Sequence, residues 1–322
     1  MGVKIKDIIE PEKINFKDIE NRTVAIDAFN TLYQFLSSIR QRDGTPLLDN
    51  EGNVTSHLSG LLYRNASIIE KGVKPIYVFD GVAPKEKADT QSERRQIRKE
   101  SELKWEEALK EGDEETARKY AVRSSKLTPY IIESSKEFLT LMGIPYVEAY
   151  GEGEAQASYM VKKGDAWAVA SQDYDCLLFG AKRIIRNLTN SNKKPLEYYN
   201  LRKVLTELKI TQEELINMGI IIGTDFNKGI NGIGSKTALK LAHKKQLNNK
   251  LNEIPENIEN IQNIFLKPHI NTNYKIKWKN VNQEKILEFM CEKHNFSQDR
   301  VNRSIKKIKT LNTGQSNLEK WF

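Results

Sequence analysis

The chain is poor in cysteine and histidine. Two cysteines in 322 residues, Cys176 and Cys291, cannot build a disulfide framework or a zinc-finger set. Four histidines, at positions 57, 243, 269 and 294, are too scattered for a His-based zinc centre. Long apolar runs are lacking as well: none approaches the roughly 18 residues a membrane helix needs. The opening MGVKIKDIIE has neither the apolar stretch of a signal peptide nor the myristoylation pattern, since Lys6 stands where Ser or Thr is required. A reduced, intracellular, soluble, cytoplasmic chain is expected, in which the sequons at Asn21, Asn65 and Asn187 carry no message. With 39% hydrophobic residues there is still enough apolar matter for a sizeable core, in one large or two modest domains.

Charge is unevenly spread. Residues 241–310 carry 14 Lys/Arg against 7 Asp/Glu, whereas residues 1–240 carry 36 against 35. A basic C-terminal third suits a polyanion, nucleic acid being the usual one, although a solvated lysine-rich surface has the same composition.

Several short apolar runs end in an acid. Thr23–Ile26 leads into Asp27, Pro75–Phe79 into Asp80, and Ala166–Ala170 into Asp173 and Asp175. Runs rich in Val, Ile and aromatics, separated by amphipathic stretches, predict buried parallel strands. Ile131–Met142 predicts a helix closed by Gly143 and Pro145. The alternation indicates an α/β sheet with helices on its faces, in which ligands sit at the carboxyl ends of strands. Residues 81–128 are different: Lys85–Lys126 holds 12 basic and 11 acidic residues, in a helical pattern with i,i+4 pairs such as Glu100–Lys104 and Glu106–Lys110. A helix polar nearly all round does not pack in a core. It is an exposed hairpin or an element that orders around a partner.

Seven acids form the candidate site: Asp27, Asp80, Glu152, Glu154, Asp173, Asp175 and Asp225. Hard divalent cations take oxygen ligands, and two of them can clamp both oxygens of a phosphodiester displacement. Gathered at strand ends, so many carboxylates repel one another unless metal neutralises them. Singly, each has a plainer reading as a helix N-cap or first-turn acid. The segment Gly229-Ile-Asn-Gly232-Ile-Gly234-Ser-Lys236-Thr237 almost fits a P-loop, but Ser235 intervenes before Lys236,. A glycine hairpin opening a helix lets backbone N–H groups approach a phosphate, or is simply a tight interhelix turn.

At this point IDAFNTLYQFL, TSHLSGLLYR, PIYVFDG, LMGIPYVEAYGEGEAQASYM, ASQDYDCLLFGAKRIIRNLT and IIGTDFNKGINGIGSKTAL together resemble the flap endonucleases, structure-specific 5′ nucleases of replication and repair, in their archaeal form. The resemblance runs nearly the whole chain, in order. It implies an α/β, PIN-like nuclease domain with a mostly parallel central sheet flanked by helices. It implies one nuclease domain over 1–310, made of an N-terminal region (1–98), a helical arch (81–128), an internal region with a helix-two-turn-helix element (129–245) and a basic C-terminal region (246–310). Two Mg²⁺ ions, replaceable by Mn²⁺, are implied for 5′-flap and 5′–3′ exonuclease cleavage. Asp80, Glu152 and Glu154 would mainly serve one ion and Asp173, Asp175 and Asp225 the other, with Asp27 completing the family's seven acids.

Lys87 and Arg94 match the family's basic pair facing the scissile phosphate. Tyr33, which periodicity alone puts in the core, matches the aromatic that stacks on a nucleobase. Arg40 matches a nearby DNA contact, and the amino group of Gly2, exposed once Met1 is removed, is implied to lie near the substrate. Gly232, Gly234 and Lys236 would grip duplex DNA, with a K⁺ ion between carbonyls and a phosphate. Tyr150-Gly151 and Val82-Ala83 depart from the Pro-Ser and Lys-Pro the family commonly has there. In the tail (311–322), Gln315, Leu318, Trp321 and Phe322 match the motif that docks on the replication sliding clamp (PCNA). The partners implied are 5′-flap DNA and that clamp, for a monomer with no membrane association. A related nuclease of bubbles, nicks or junctions, and a catalytically silent clamp-tethered DNA-binding scaffold, are the alternatives.

Overall fold

The computed structural model describes residues 2–190 and 194–309. Seven strands, β1 (Glu12–Ile14), β2 (Thr23–Asp27), β3 (Lys74–Phe79), β4 (Tyr146–Glu148), β5 (Ala168–Ala170), β6 (Arg183–Arg186) and β7 (Leu196–Asn200), form one sheet in the order β1-β7-β6-β5-β2-β3-β4. The pairings of β2 with β3 and β5, of β3 with β4 and of β5 with β6 are parallel. Those of β7 with β1 and β6 are antiparallel. The expected mostly parallel sheet is therefore present, with an antiparallel edge.

Both faces of the sheet are buried, and the two-residue period of the strands divides their side chains between two cores. On one face Ala25, Ile76, Val78 and Val169 join the first core cluster. On the other, Val24, Ile26, Tyr77, Phe79 and Ala168 join the second.

In chain order the helices begin with α1 (Ala28–Ser38) and α2 (Ser56–Glu70). Next come α3 (Ala88–Glu111) and α4 (Glu114–Arg123), then α5 (Pro129–Leu141), α6 (Gly153–Lys163) and the short α7 (Asp175–Leu178). They continue with α8 (Leu201–Leu208), α9 (Gln212–Ile222), α10 (Ser235–His243), α11 (Leu247–Leu251), α12 (Ile258–Leu266), α13 (Gln283–Leu287) and α14 (Gln298–Ile308). Helix α5 starts two residues before the sequence-based expectation, because Thr128 accepts from Ile131 N as N-cap and Pro129 occupies the first turn, where a missing N–H costs nothing. Gly143 follows it at φ +73°, and a Cβ there would collide with the backbone carbonyl of Lys279. No helix among the described residues is long and apolar enough to cross a membrane.

Helices α3 and α4 make the predicted polar hairpin. Only Ser101 and Ala108 of α3 are buried. The expected i,i+4 pairs do not close: Glu100 accepts from Gln96 Nε2 at 2.8 Å, and the Lys104 ammonium lies 5.4 Å from the centre of the Tyr120 ring. The hairpin is held by contacts across it, such as Lys126 Nζ to Glu102 Oε2 at 2.5 Å, and at its base by Gly44, which packs against Ala121 and Arg118.

Candidate active site

Strands β2 and β5 lie side by side in the middle of the sheet, and successive strands run outwards from them in opposite directions. A crevice opens at the carboxyl ends of strands at such a switch point. Asp27 ends β2, and Asp80 follows β3 directly. Glu152 and Glu154 begin α6, Asp173 follows β5, and Asp175 begins α7. Asp225 breaks the strand-end pattern: it lies in the loop after α9, where Thr224 Oγ1 donates to Asn227 Oδ1 at 2.8 Å and Asn227 Nδ2 to Ile220 O at 2.7 Å.

The plainer readings of these acids hold alongside the grouped one. Asp27 does cap α1, accepting from Asn30 N at 3.0 Å, and Asp80 accepts from Gly153 N at 2.7 Å. Two side chains tie the acids together. Asn30 Nδ2 donates to Asp173 Oδ2 at 3.1 Å. Ser171 Oγ donates to Glu154 Oε1 at 2.8 Å and accepts from Asp173 N at 3.2 Å. Neither carried a sequence signal, since a lone amide or hydroxyl has no period or spacing. The N-terminal segment closes the floor: Gly2 N donates to Asp173 Oδ1 at 3.1 Å and Val3 N to Asp175 Oδ1 at 2.6 Å. A Cβ at Gly2 would stand 2.6 Å from Asp175 Oδ1, so only glycine fits there without displacement.

Burial sets the electrostatics. Desolvation first, then the neighbouring Asp80 charge, pushes Asp27 up to about 8. Burial and then Glu152 push Asp80 to about 6, and burial, with Asp225 and Asp173 adding to it, pushes Asp175 to about 7. Glu154 is raised well above the ordinary carboxylate range by burial and then by Asp175 and Asp173. These are carboxylates lacking enough positive charge to ionise together.

The cations that do reach them come from the start of the α3–α4 hairpin. Lys87 Nζ pairs with Glu152 Oε2 and stands 3.6 Å from Asp225 Oδ2. Arg94 Nη2 lies 2.6 Å from Asp225 Oδ1. Burial lowers the Lys87 pKa, but the Glu152 carboxylate more than reverses this and holds the ammonium above its ordinary range. Lys228 Nζ, 3.2 Å from Glu93 Oε1, adds a link between α3 and the loop after α9. Among the described residues no set of three or more His, Cys, Asp or Glu side chains already stands in metal-ligating geometry. The donor set is nonetheless all oxygen, buried and short of positive charge, which fits Mg²⁺ or Mn²⁺ and not a softer ion.

The remaining sequence-predicted residues lie around this crater. Tyr33 is half-buried, not in the core, because the arch covers it: the Arg98 guanidinium lies 5.5 Å from its ring centre. Arg40 is spent on structure, donating to Leu36 O and Gly44 O at 2.6 Å and to Ser125 Oγ at 2.9 Å. Gly232, Gly234 and Lys236 sit on the α9–α10 hairpin and make no hydrogen bond or ion pair with the crater acids among the described residues. A Cβ on either glycine meets nothing within 4 Å, Lys236 is exposed, and no side chain caps α10. Gln315, Leu318, Trp321 and Phe322 lie outside the described residues.

Acids that need divalent cations, faced by side chains suited to a phosphate, belong to phosphodiester chemistry; on this sheet they mark a PIN-like nuclease. Comparison with known proteins makes the class specific. Residues 1–101 match the XPG N-terminal domain and residues 143–225 the XPG I-region. The chain is 64% identical to flap endonuclease 1 of Methanobrevibacter smithii over the whole of both chains. It is 47% identical to that of Pyrococcus horikoshii, covering 100% of this chain and 98% of the relative. The solved flap endonuclease-1 of Methanococcus jannaschii superposes with a TM-score of 0.81 at 45% identity, over 96% of this chain and 98% of that one. The chain belongs to the flap endonuclease 1 family and is a nuclease.

Proposed function

We propose that this chain removes 5′ flaps, cutting near the junction of single and double strand, with two divalent cations held by the seven acids. The observation that carries the reading is the crater itself, where four carboxyls with raised pKa values are grouped with Glu152 and Asp225, the two acids that Lys87 and Arg94 pair with. Asp80, Glu152 and Glu154 would hold one ion and Asp173, Asp175 and Asp225 the other, with Asp27 beside both. When bound, the ions supply an activated water and support for the leaving oxygen.

The rest falls to the chain. Lys87 and Arg94 would leave Glu152 and Asp225 when cations arrive and turn to the scissile phosphate, spreading its charge. Asn30 and Ser171 keep their carboxylates aimed, and Tyr33 offers a ring for a nucleobase once Arg98 moves aside. The uncapped N-terminus of α10, with Gly232, Gly234 and Lys236, suits a backbone phosphate of the duplex, and the carbonyl oxygens of this hairpin would hold a K⁺ ion that adds positive charge there. Such contacts position DNA without reading its sequence. The pattern of Gln315, Leu318, Trp321 and Phe322 supports docking on the sliding clamp.

The test is a cleavage map of a labelled 5′-flap duplex with Mg²⁺ and with chelator. The expected result is a Mg²⁺-dependent cut at, or one nucleotide inside, the junction. Tight binding without a cut would retire the chemistry while leaving the fold as it is.

A further inference from the structure

The two stretches that depart from the family pattern meet in space. Gly81 N donates to Gly151 O at 2.8 Å and Val82 N to Tyr150 O at 3.0 Å, so both turns form one ledge beside Glu152. Val82 and Tyr150 are 82% and 48% exposed, an unusual display of large apolar surface next to an acidic crater. Below the ledge is a pocket of about 440 Å³ between the arch base and α12, within the usual range for small-ligand sites of about 300–1,000 Å³.

We propose that this pocket receives the nucleobase of the unpaired flap nucleotide adjoining the scissile phosphate, an inference that rests on the flap-nuclease reading. Three features of the lining suit a base. Phe179 and Ile264 contribute apolar surface. Asn260 and Asn263 line it as well, and an asparagine amide can both donate to and accept from a base edge. His269 also lines the pocket and rests against Tyr150, ring centroids 5.1 Å apart and planes tilted by 39°, so its imidazole offers one aromatic face for stacking.

Charge sets the orientation. Glu86 also lines the pocket and would repel a phosphate lodged inside, whereas a neutral base meets no such penalty. Lys267 lines it as well and would pair with the phosphate left outside. Glu152 belongs to both pocket and crater, so a strand engaged in the crater brings its neighbouring nucleotide to this opening.

The test compares flap duplexes carrying a natural base or an abasic site at the first unpaired position. Affinity is measured in chelator, where nothing is cut, for wild type, His269→Ala, His269→Phe and Asn263→Ala. Wild type is expected to bind the natural flap about 5- to 10-fold more tightly than the abasic one, the scale of stacking one base. In His269→Ala and Asn263→Ala that ratio should fall below about 2-fold, and His269→Phe should keep it, as a base stacks on any aromatic face. A wild-type ratio of one, or a ratio unchanged in both alanine variants, would overturn the pocket. Base-dependent binding by a wild type that cuts no flap in Mg²⁺ would instead retire the nuclease reading and leave the pocket standing.

Discussion

Arg94 Nη2 lies 2.6 Å from Asp225 Oδ1, and Lys87, seven residues earlier, bridges Asp225 and Glu152. The arch thus places its two innermost cations on the same carboxylates that a divalent ion would use. Cation and side chain would then compete, and the contact that closes the crater without metal would open with it. Lys87→Ala and Arg94→Ala separate the two roles. Without DNA, each variant should bind Mn²⁺ more tightly than wild type, by roughly 3- to 10-fold, because an opposing positive charge is gone. On a flap duplex in saturating Mg²⁺, each should lose about 10²- to 10³-fold in single-turnover rate, the usual cost of removing a donor to developing charge. Titration calorimetry and rapid quench read the two effects, and unchanged Mn²⁺ affinity would show that the ion pairs and the cations do not compete.

The carboxyls themselves make a pH prediction of definite sign. Asp27, Asp175 and Asp80 titrate at about 8, 7 and 6 in the fold, against an ordinary value of about 3.9. A raised carboxyl contributes stability that is complete below the unfolded value and is lost as pH rises through the folded one. In chelator, the unfolding free energy should therefore fall between pH 5 and 8.5, with a slope of up to about 1.4 kcal/mol per pH unit for each linked group, and the melting temperature should fall with it. Saturating Mg²⁺ should flatten that decline. Asp27→Asn should raise the melting temperature in chelator at pH 8 by several degrees, since asparagine keeps the N-cap of α1 and removes a buried charge. A decline equally steep with and without Mg²⁺ would mean that the cations do not bind among these groups.

A second buried group has the opposite sign. His57 is fully buried, its Nε2 2.8 Å from Ser134 Oγ. Burial, and then the nearby His294, lower its pKa to about 3. His294 Nδ1 in turn stands 2.8 Å from Asp49 Oδ2. A histidine kept neutral by the fold contributes stability that is whole above its unfolded pKa of about 6.5 and is lost as pH falls towards 3. His57→Gln should cost stability at pH 7 through the packing it disturbs, yet flatten the decline between pH 6.5 and 4. If both proteins lose stability with the same slope, acid unfolding in this range comes from other groups.

How much of this was legible in the sequence depends on whether a feature has a pattern. Asp27, Asp80 and Asp173 stand out because a buried parallel strand is a short apolar run and its carboxyl end is abrupt. Asp225 follows a helix, so strand-end logic could not reach it, and only the stretch IIGTDFNKG marked it. Tyr33 shows where helical period misleads: it fits the buried stripe of α1, but the surface over it is the arch, which no local pattern places there. The failed Glu100–Lys104 pair has a related cause. Its partners were chosen by spacing on one helix, while Gln96 on the same helix and Tyr120 on the next offered better-placed contacts.

Ser171 is the sharpest case of a residue without a pattern. Its hydroxyl donates to Glu154 and receives the Asp173 N–H, so one small side chain aims two acids assigned to different ions. Groups of this kind typically hold about 10- to 100-fold in metal affinity. Ser171→Ala should weaken Mn²⁺ binding by that factor. The same change should raise the Mg²⁺ concentration needed for half-maximal cleavage, with the rate at saturating Mg²⁺ reduced less. Ser171→Thr keeps the hydroxyl and should recover most of the affinity if the added methyl is accommodated. A variant with wild-type Mg²⁺ dependence would show that Glu154 and Asp173 hold their positions without the bridge, leaving Asn30 and the Gly2 and Val3 amides to orient the crater.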